Sequence, residues 1–175
     1  SSKIDELLYF MDRNNIKIAA IQETKLTDKS KNLNTKNYTL LRKDRGTNKG
    51  GGLAFLVHES INFQQETTPP TLANDPHVEE LTISIPGKES NLQIRNTYIP
   101  PNSSCQQHYT APLDKIFDNL NETSLVIGDI NAHHSLWYSE ANQDFRGRQL
   151  ADLMTEKPFG ILNEDYPTRN MNETY

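Results

Sequence analysis

Four short stretches of this chain gather side chains that could act on a phosphate, a metal ion or a water molecule. The run Ile16 to Gln22 is apolar and stops at Glu23, inside Gln22-Glu23-Thr24-Lys25-Leu26. A carboxylate at the carboxyl end of a buried strand stands where open sheets place their ligands, and one or two carboxylates are the usual protein share of a Mg²⁺ shell. A strand-end glutamate facing solvent is the plainer reading. The stretch Ser124 to His134 reads Ser-Leu-Val-Ile-Gly-Asp-Ile-Asn-Ala-His-His. Asp129 and Asn131, two apart, share one face of an extended segment. The carboxylate could orient or deprotonate a water, and the amide could donate to a phosphate oxygen. The same pair could instead cap backbone groups in an Asx-type turn. Tyr98, in Asn96-Thr97-Tyr98-Ile99-Pro100-Pro101, offers a hydroxyl or is simply a core tyrosine. In Tyr166-Pro167-Thr168-Arg169, Thr168 and Arg169 could both touch phosphate, or the four residues are only a turn. His133-His134 does not suggest zinc. Adjacent histidines on a strand point to opposite faces, and the single cysteine, Cys105, is not close in sequence. A phosphate contact by one of them, or packing beside Trp137, fits better.

Certain elements must carry these residues. Ser2 to Asn14 reads as a helix, with Ser2 as cap and Ile4, Leu7, Leu8 and Met11 on one face. Ile16 to Gln22 is a buried strand, followed by a polar loop from Thr24 to Asn37. Tyr38 to Arg42 is a strand. Gly50-Gly51-Gly52 opens a stronger one, Leu53 to His58, with Ile61 to Glu66 as its neighbour. Thr67 to Pro76, with three prolines, is a loop. Val78 to Ile85 and Leu92 to Ile99 alternate as half-buried strands. Pro112 to Leu120 is a helix, Ser124 to Ile127 a buried strand, Arg146 to Glu156 a helix, and Ile161-Leu162 a short strand. A meander of strands flanked by strand–helix units implies an α+β or layered sandwich fold.

The bulk numbers set outer limits. A chain of 175 residues is one domain's length and can bury a core. No apolar run approaches the roughly 18 residues of a membrane span, and the first residues do not resemble a signal peptide. One cysteine leaves no internal disulfide and suggests a reducing, intracellular setting. The net charge of −5 is unevenly spread. Residues 25–49 hold eight lysines and arginines against Asp28 and Asp44, a local +6 that leaves −11 for the rest. Such a stripe can hold a phosphate backbone, or be a solvated loop.

Five features occur in one order: Gln-Glu-Thr-Lys-Leu after a strand, a triple-glycine strand, Asn-Thr-Tyr-Ile-Pro-Pro, Gly-Asp-Ile-Asn-Ala-His-His, and a late Pro-Thr-Arg. That series resembles the apurinic-endonuclease-like domain of non-LTR retrotransposon polyproteins, nearest the jockey-type elements, in the exonuclease–endonuclease–phosphatase superfamily. It spans about residues 16–169. The resemblance implies a layered α/β/β/α sandwich and a metal-dependent DNA endonuclease that nicks target DNA, leaving a 3′-hydroxyl to prime reverse transcription. It implies Glu23 as ligand of Mg²⁺ (or Mn²⁺), Tyr98 beside the scissile phosphate, and Asp129 activating or positioning the water or assisting the leaving oxygen. Asn131 would orient substrate and Asp129. Thr168, Arg169 and His134 would contact substrate. The partners implied are DNA and a reverse transcriptase domain downstream in the same polyprotein, with action in the nucleus. A phosphatase of the same superfamily acting on inositol lipids or sphingomyelin would carry different residues around Asp129.

The resemblance also implies parts not seen in residues 1–175. The family's first strand, with an active-site Asn, and its closing strands, with an Asp and a Ser-Asp-His, have no counterpart. The expectation is a single domain short of its first and last strands, weakly active or inactive, with a non-catalytic relic or binding module as the alternative.

Overall fold

A computed structural model describes residues 3–27, 29–30, 33–45, 50–138 and 140–165. Its elements are α1 (Lys3–Arg13), β1 (Ile18–Gln22), β2 (Tyr38–Lys43), β3 (Leu53–His58), β4 (Gln64–Glu66), α2 (Pro70–Ala73), β5 (Glu79–Ile85), β6 (Leu92–Tyr98), α3 (Leu113–Ile116), β7 (Ser124–Asp129) and α4 (Phe145–Glu156). The strands make two sheets, ordered β1-β3-β2 and β4-β5-β6-β7. All pairs are antiparallel except β6 with β7.

Period-two alternation explains the layering. On β3, Leu53, Phe55 and Val57 point to one side and join Leu81 and Ile83 of β5 and Ile94 and Tyr98 of β6 in the core between the sheets. Leu56 points to the other side and meets Leu8 and Met11 of α1. Leu72 of α2, Leu113 and Ile116 of α3 and Leu150 of α4 form a third cluster with Val78 and Ile99 on the far side of the second sheet. The result is the expected α/β/β/α sandwich, with both sheets covered.

The sequence reading needs several corrections. Ile61 to Glu66 is not the neighbour of β3. Only Gln64–Glu66 is strand, and it pairs with β5 in the other sheet, Gln64 opposite Ser84; Ile61 and Phe63 pack at the margin of the core between the sheets. The Pro-rich loop contains α2, started by the Pro69 carbonyl, which accepts from the Leu72 and Ala73 amides at 2.9 Å each. The predicted helix from Pro112 to Leu120 shrinks to one turn, and Asn119 redirects the chain at φ 56°. The sequence predicts β1 and β7 as buried strands, but both lie at sheet edges and are only partly covered. Ile161-Leu162 forms no strand, and Leu162 is exposed. On β5 the polar residues Glu80, Thr82 and Ser84 are buried along with the apolar ones. Above them Arg95 of β6 donates to the carbonyls of Ile116 and Asp118 and lies 3.6 Å from Glu80, so a polar seam joins the sheet to the segment around α3. Ser2, the predicted cap of α1, lies outside the described residues.

One buried amide stitches the two sheets together. Asn96 of β6 is fully buried. Its Nδ2 donates to the carbonyls of Ile21 (3.2 Å) and Ala54 (3.0 Å), and its Oδ1 accepts from Gln22 Nε2 at 2.7 Å. Removing that amide takes one hydrogen bond each from Gln22 Nε2 and from the Ile21 and Ala54 carbonyls, each worth about 0.5–1.5 kcal/mol. Asn96→Ala should therefore lower stability by about 3 kcal/mol in urea unfolding, with β1 amides losing protection first. A loss well under about 1 kcal/mol would mean that water takes over the amide's role.

Candidate functional site

The register of the strands brings the chemistry-bearing residues to one end of the sandwich. In the first sheet Gln22 of β1 and Lys43 of β2 both stand opposite Leu53 of β3, so Glu23, Gly52 and Asp44 follow at the same rim. In the second sheet Glu79 pairs with Tyr98, and Tyr98 with Asp129. Glu23, Tyr98 and Asp129, from β1, β6 and β7, thus share one edge. The Tyr98 hydroxyl crosses between the sheets and donates to Glu23 Oε1 at 2.5 Å. Burial, then the bond to Glu23 and its negative charge, hold the Tyr98 hydroxyl well above the usual tyrosine range, with Asp129 adding to the effect and Arg45 opposing it. Tyr98 therefore stays protonated and acts as a donor. It is both a core tyrosine and a site residue, so the two readings of the sequence merge.

The backbone is bent where these groups are presented. Glu23 (φ 51°), Lys25 (φ 53°) and Asn131 (φ 50°) all take left-handed conformations unfavourable to residues with a side chain. At Glu23 the turn is held by β3, where the Gly52 and Gly51 carbonyls accept from the Thr24 and Lys25 amides at 3.1 and 2.9 Å. The glycines are needed for that approach. A Cβ on Gly51 would overlap the Glu79 carboxylate and the Arg45 guanidinium, and its φ is +74°. Arg45 and Glu79 form an ion pair there, Gly52 N donates to Glu79 Oε2 at 2.6 Å, and the Arg45 guanidinium lies 5.6 Å from the centre of the Tyr98 ring. Even so, burial pushes the Glu79 carboxyl upward, outweighing the Gly52 amide and Arg45.

At the end of β7, a Cβ on Gly128 would overlap the Thr97 carbonyl, so glycine lets β7 lie close to β6. The Asn131 amide donates to Asp129 Oδ1 at 3.0 Å, the Asx-type turn left open by the sequence, and Asn131 Nδ2 donates to the Ile99 carbonyl at 2.9 Å. Asn131 is thus bound to the Asp129 carboxylate through its backbone and to β6 through its side chain. His134 lies 5.4 Å from Trp137, ring centre to ring centre, and its Nδ1 accepts from the Leu136 amide. His133 pairs with Asp144 at 2.7 Å. Asp144 is also the N-cap of α4; burial alone would raise its carboxyl, but the bonds from His133 and from the Gly147 amide win and hold it low. Thr168 and Arg169 lie outside the described residues.

Half of the basic stretch is engaged internally. Lys25 lies 3.6 Å from Glu23, Arg42 pairs with Asp44 and donates to the Ser30 and Thr27 carbonyls, Lys43 donates to Glu80 O, and Arg45 holds Glu79. Lys29 and Lys36 are exposed. For a metal ion the donor set is small. Among the described residues no three of His, Cys, Asp and Glu cluster. Glu23 accepts from the Tyr98 hydroxyl, Asp129 stands in register with Tyr98, and both carboxylate residues are open to solvent. Two exposed carboxylates suit an ion that keeps several of its waters, as Mg²⁺ does. In the sequence Gln22 figures only as part of a motif and Arg45 only as part of the basic stretch, and Glu79, Asp144 and Arg146 are not singled out; the capping preference of aspartate before a helix could have flagged Asp144.

Two comparisons bear on what this arrangement is. The family model described as "Endonuclease-reverse transcriptase" matches residues 92–174, a segment that contains Tyr98, Asp129, Asn131 and His134 but not Glu23. Among solved structures, the endonuclease domain of TRAS1, a telomere-specific non-LTR retrotransposon, matches with a TM-score of 0.68 at 21% identity, over 95% of this chain and 71% of that one. Two strand ends from the matched segment meet a third strand end at the rim of the sandwich; residues 92–174 are similar to the endonuclease–reverse transcriptase family, and the chain has the fold of the TRAS1 endonuclease domain.

Proposed function

We propose that the chain is a divalent-metal-dependent DNA endonuclease that nicks target DNA and leaves a 3′-hydroxyl from which a reverse transcriptase of the same polyprotein primes synthesis. The observation that carries the reading is the meeting of Glu23, Tyr98 and Asp129, with the Tyr98 hydroxyl donating to Glu23 at 2.5 Å and Tyr98 in register with Asp129. Glu23, with Asp129 nearby, would hold Mg²⁺ or Mn²⁺. When bound, the ion would offset the negative charge that builds on the phosphate during in-line attack. Asp129 orients or deprotonates the attacking water, or protonates the leaving oxygen. Asn131 fixes the Asp129 carboxylate through its amide. Tyr98, kept protonated, donates toward the scissile phosphate or toward Glu23. His134, Thr168 and Arg169 contact the DNA backbone. The setting is the nucleus, where the target DNA lies.

A second reading has one observation in its favour. His133 and His134, the histidines nearest in sequence to Asp129, are engaged with Asp144 and Trp137. A fold that binds DNA without cutting it would need no more than this.

The test is nicking of supercoiled plasmid by the purified chain with Mg²⁺, with and without EDTA. Nicking should be weak and should appear only with the metal. Asp129→Ala should reduce it about 100-fold or more, the loss typical of an acid–base group. A folded chain that binds DNA but leaves the plasmid closed would establish the binding reading instead. Tyr98→Phe gives an independent check. A hydrogen bond to a charged group that is made in the transition state is worth about 1.5–3 kcal/mol, so nicking should fall about 10- to 100-fold. Unchanged nicking would remove Tyr98 from the chemistry.

A further inference from the structure

Arg146 opens α4 and is among the most buried side chains of the protein, 2% exposed. A guanidinium stays charged at all ordinary pH, and burying it without a counter-ion costs several kcal/mol. No carboxylate among the described residues pairs with it. Four uncharged oxygens receive it instead. Nη1 donates to the carbonyls of Ile130 (2.7 Å), Pro100 (2.9 Å) and Asn131 (3.4 Å), and Nη2 to Asn102 Oδ1 (2.5 Å). These acceptors come from two loops. Pro100 and Asn102 follow Tyr98 at the end of β6, while Ile130 and Asn131 follow Asp129 at the end of β7.

The β6–β7 ladder stops at this point. Its register ends with Tyr98 opposite Asp129, and the next rung, Ile99 N to Asp129 O at 3.0 Å, is the last. Past that rung the backbone ladder ends, and the gap is spanned by Asn131 Nδ2, which donates to the Ile99 carbonyl at 2.9 Å, and by the Arg146 fork. The rest of the first turn of α4 grips the same loop. Asp144 N donates to the His133 carbonyl at 3.1 Å, the His133 amide donates to Asp144 Oδ1 at 3.4 Å, and a Cβ on Gly147 would overlap His133.

We infer that Arg146 is a positioning residue, whose buried guanidinium locks the loop after Tyr98 to the loop after Asp129 and so fixes the spacing of the proposed catalytic groups. It touches no substrate and acts through Tyr98, Asp129 and Asn131. This rests on the nuclease reading only for its effect on rate; the locking itself is independent of it. Lysine cannot replace the fork, because its one ammonium, on a shorter stem, cannot stand in for both Nη1 and Nη2.

The experiment measures hydrogen exchange by mass spectrometry on the full chain, alongside plasmid nicking with Mg²⁺, for the wild type, Arg146→Lys and Asn102→Ala. The second variant removes one acceptor at an exposed residue and leaves the core intact. Exchange in residues 98–102 and 129–133 should rise about tenfold or more in Arg146→Lys, and less in Asn102→Ala, with α1 and β3 unchanged. Where the wild type nicks, kcat should fall about 100-fold in Arg146→Lys at a nearly constant KM, as a small misplacement of catalytic groups produces. Unchanged exchange in both loops overturns the inference. So does a rise spread evenly through α1 and β3, which would make Arg146 a general stabiliser. A wild type that does not nick counts against the nuclease reading, while the exchange pattern still decides the locking.

Discussion

The site depends on one face of one strand. Asn96 and Tyr98 are two residues apart on β6, so both point across the sandwich toward β1. Asn96 fixes the distance between the sheets by bonding Gln22 and the Ile21 and Ala54 carbonyls. With that distance fixed, the Tyr98 hydroxyl reaches Glu23 at 2.5 Å. A buried amide satisfied on both its donor and acceptor sides is directional in a way that apolar packing is not, and it tolerates neither a slip of register nor a gap between layers. The hydrophobic residues of β3, β5 and β6 supply the cohesion, and Asn96 supplies the alignment.

The two carboxylates are brought together by unlike means. Asp129 arrives by parallel pairing of β7 with β6, which Gly128 permits by coming close to Thr97. Glu23 arrives from the other sheet, on a left-handed residue braced against Gly51 and Gly52. Left-handed backbone at a residue with a side chain costs of order 1 kcal/mol or more, and here it is imposed by neighbours that cannot move without breaking the Arg45–Glu79 pair. The strain is local, and the triple glycine makes it possible.

The sequence displayed the parts of this design that follow from periodicity. The helical stripe Ile4, Leu7, Leu8 and Met11, the triple-glycine strand and the helix ending at Glu156 all stand where their patterns put them. Tyr98, Asp129 and Glu23 were visible as polar residues at the ends of apolar runs. Pairing partners were not visible. Ile61 to Glu66 has the composition of a neighbour for β3 but joins β5, because the choice between two sheets is made by distant contacts and not by local pattern. The burial of Glu80 and Arg95 could not be read either, since each is acceptable only through the other and through carbonyls near α3. In the sequence Arg146 only marks the start of a helix, and its acceptors lie 15 to 46 residues away along the chain.

The Arg45–Glu79 pair carries a consequence for how such a sequence can change over time. Both partners are largely enclosed, and the space between them and Gly51 is full. Losing one charge alone would strand the other in a low-dielectric pocket at a cost of several kcal/mol, whereas exchanging both for a matched apolar pair can be neutral. Any larger residue at position 51 would collide with whatever pair stood there. The three positions therefore form a single inherited unit, and descendants of this fold should keep all three or replace 45 and 79 together, with intermediates rare.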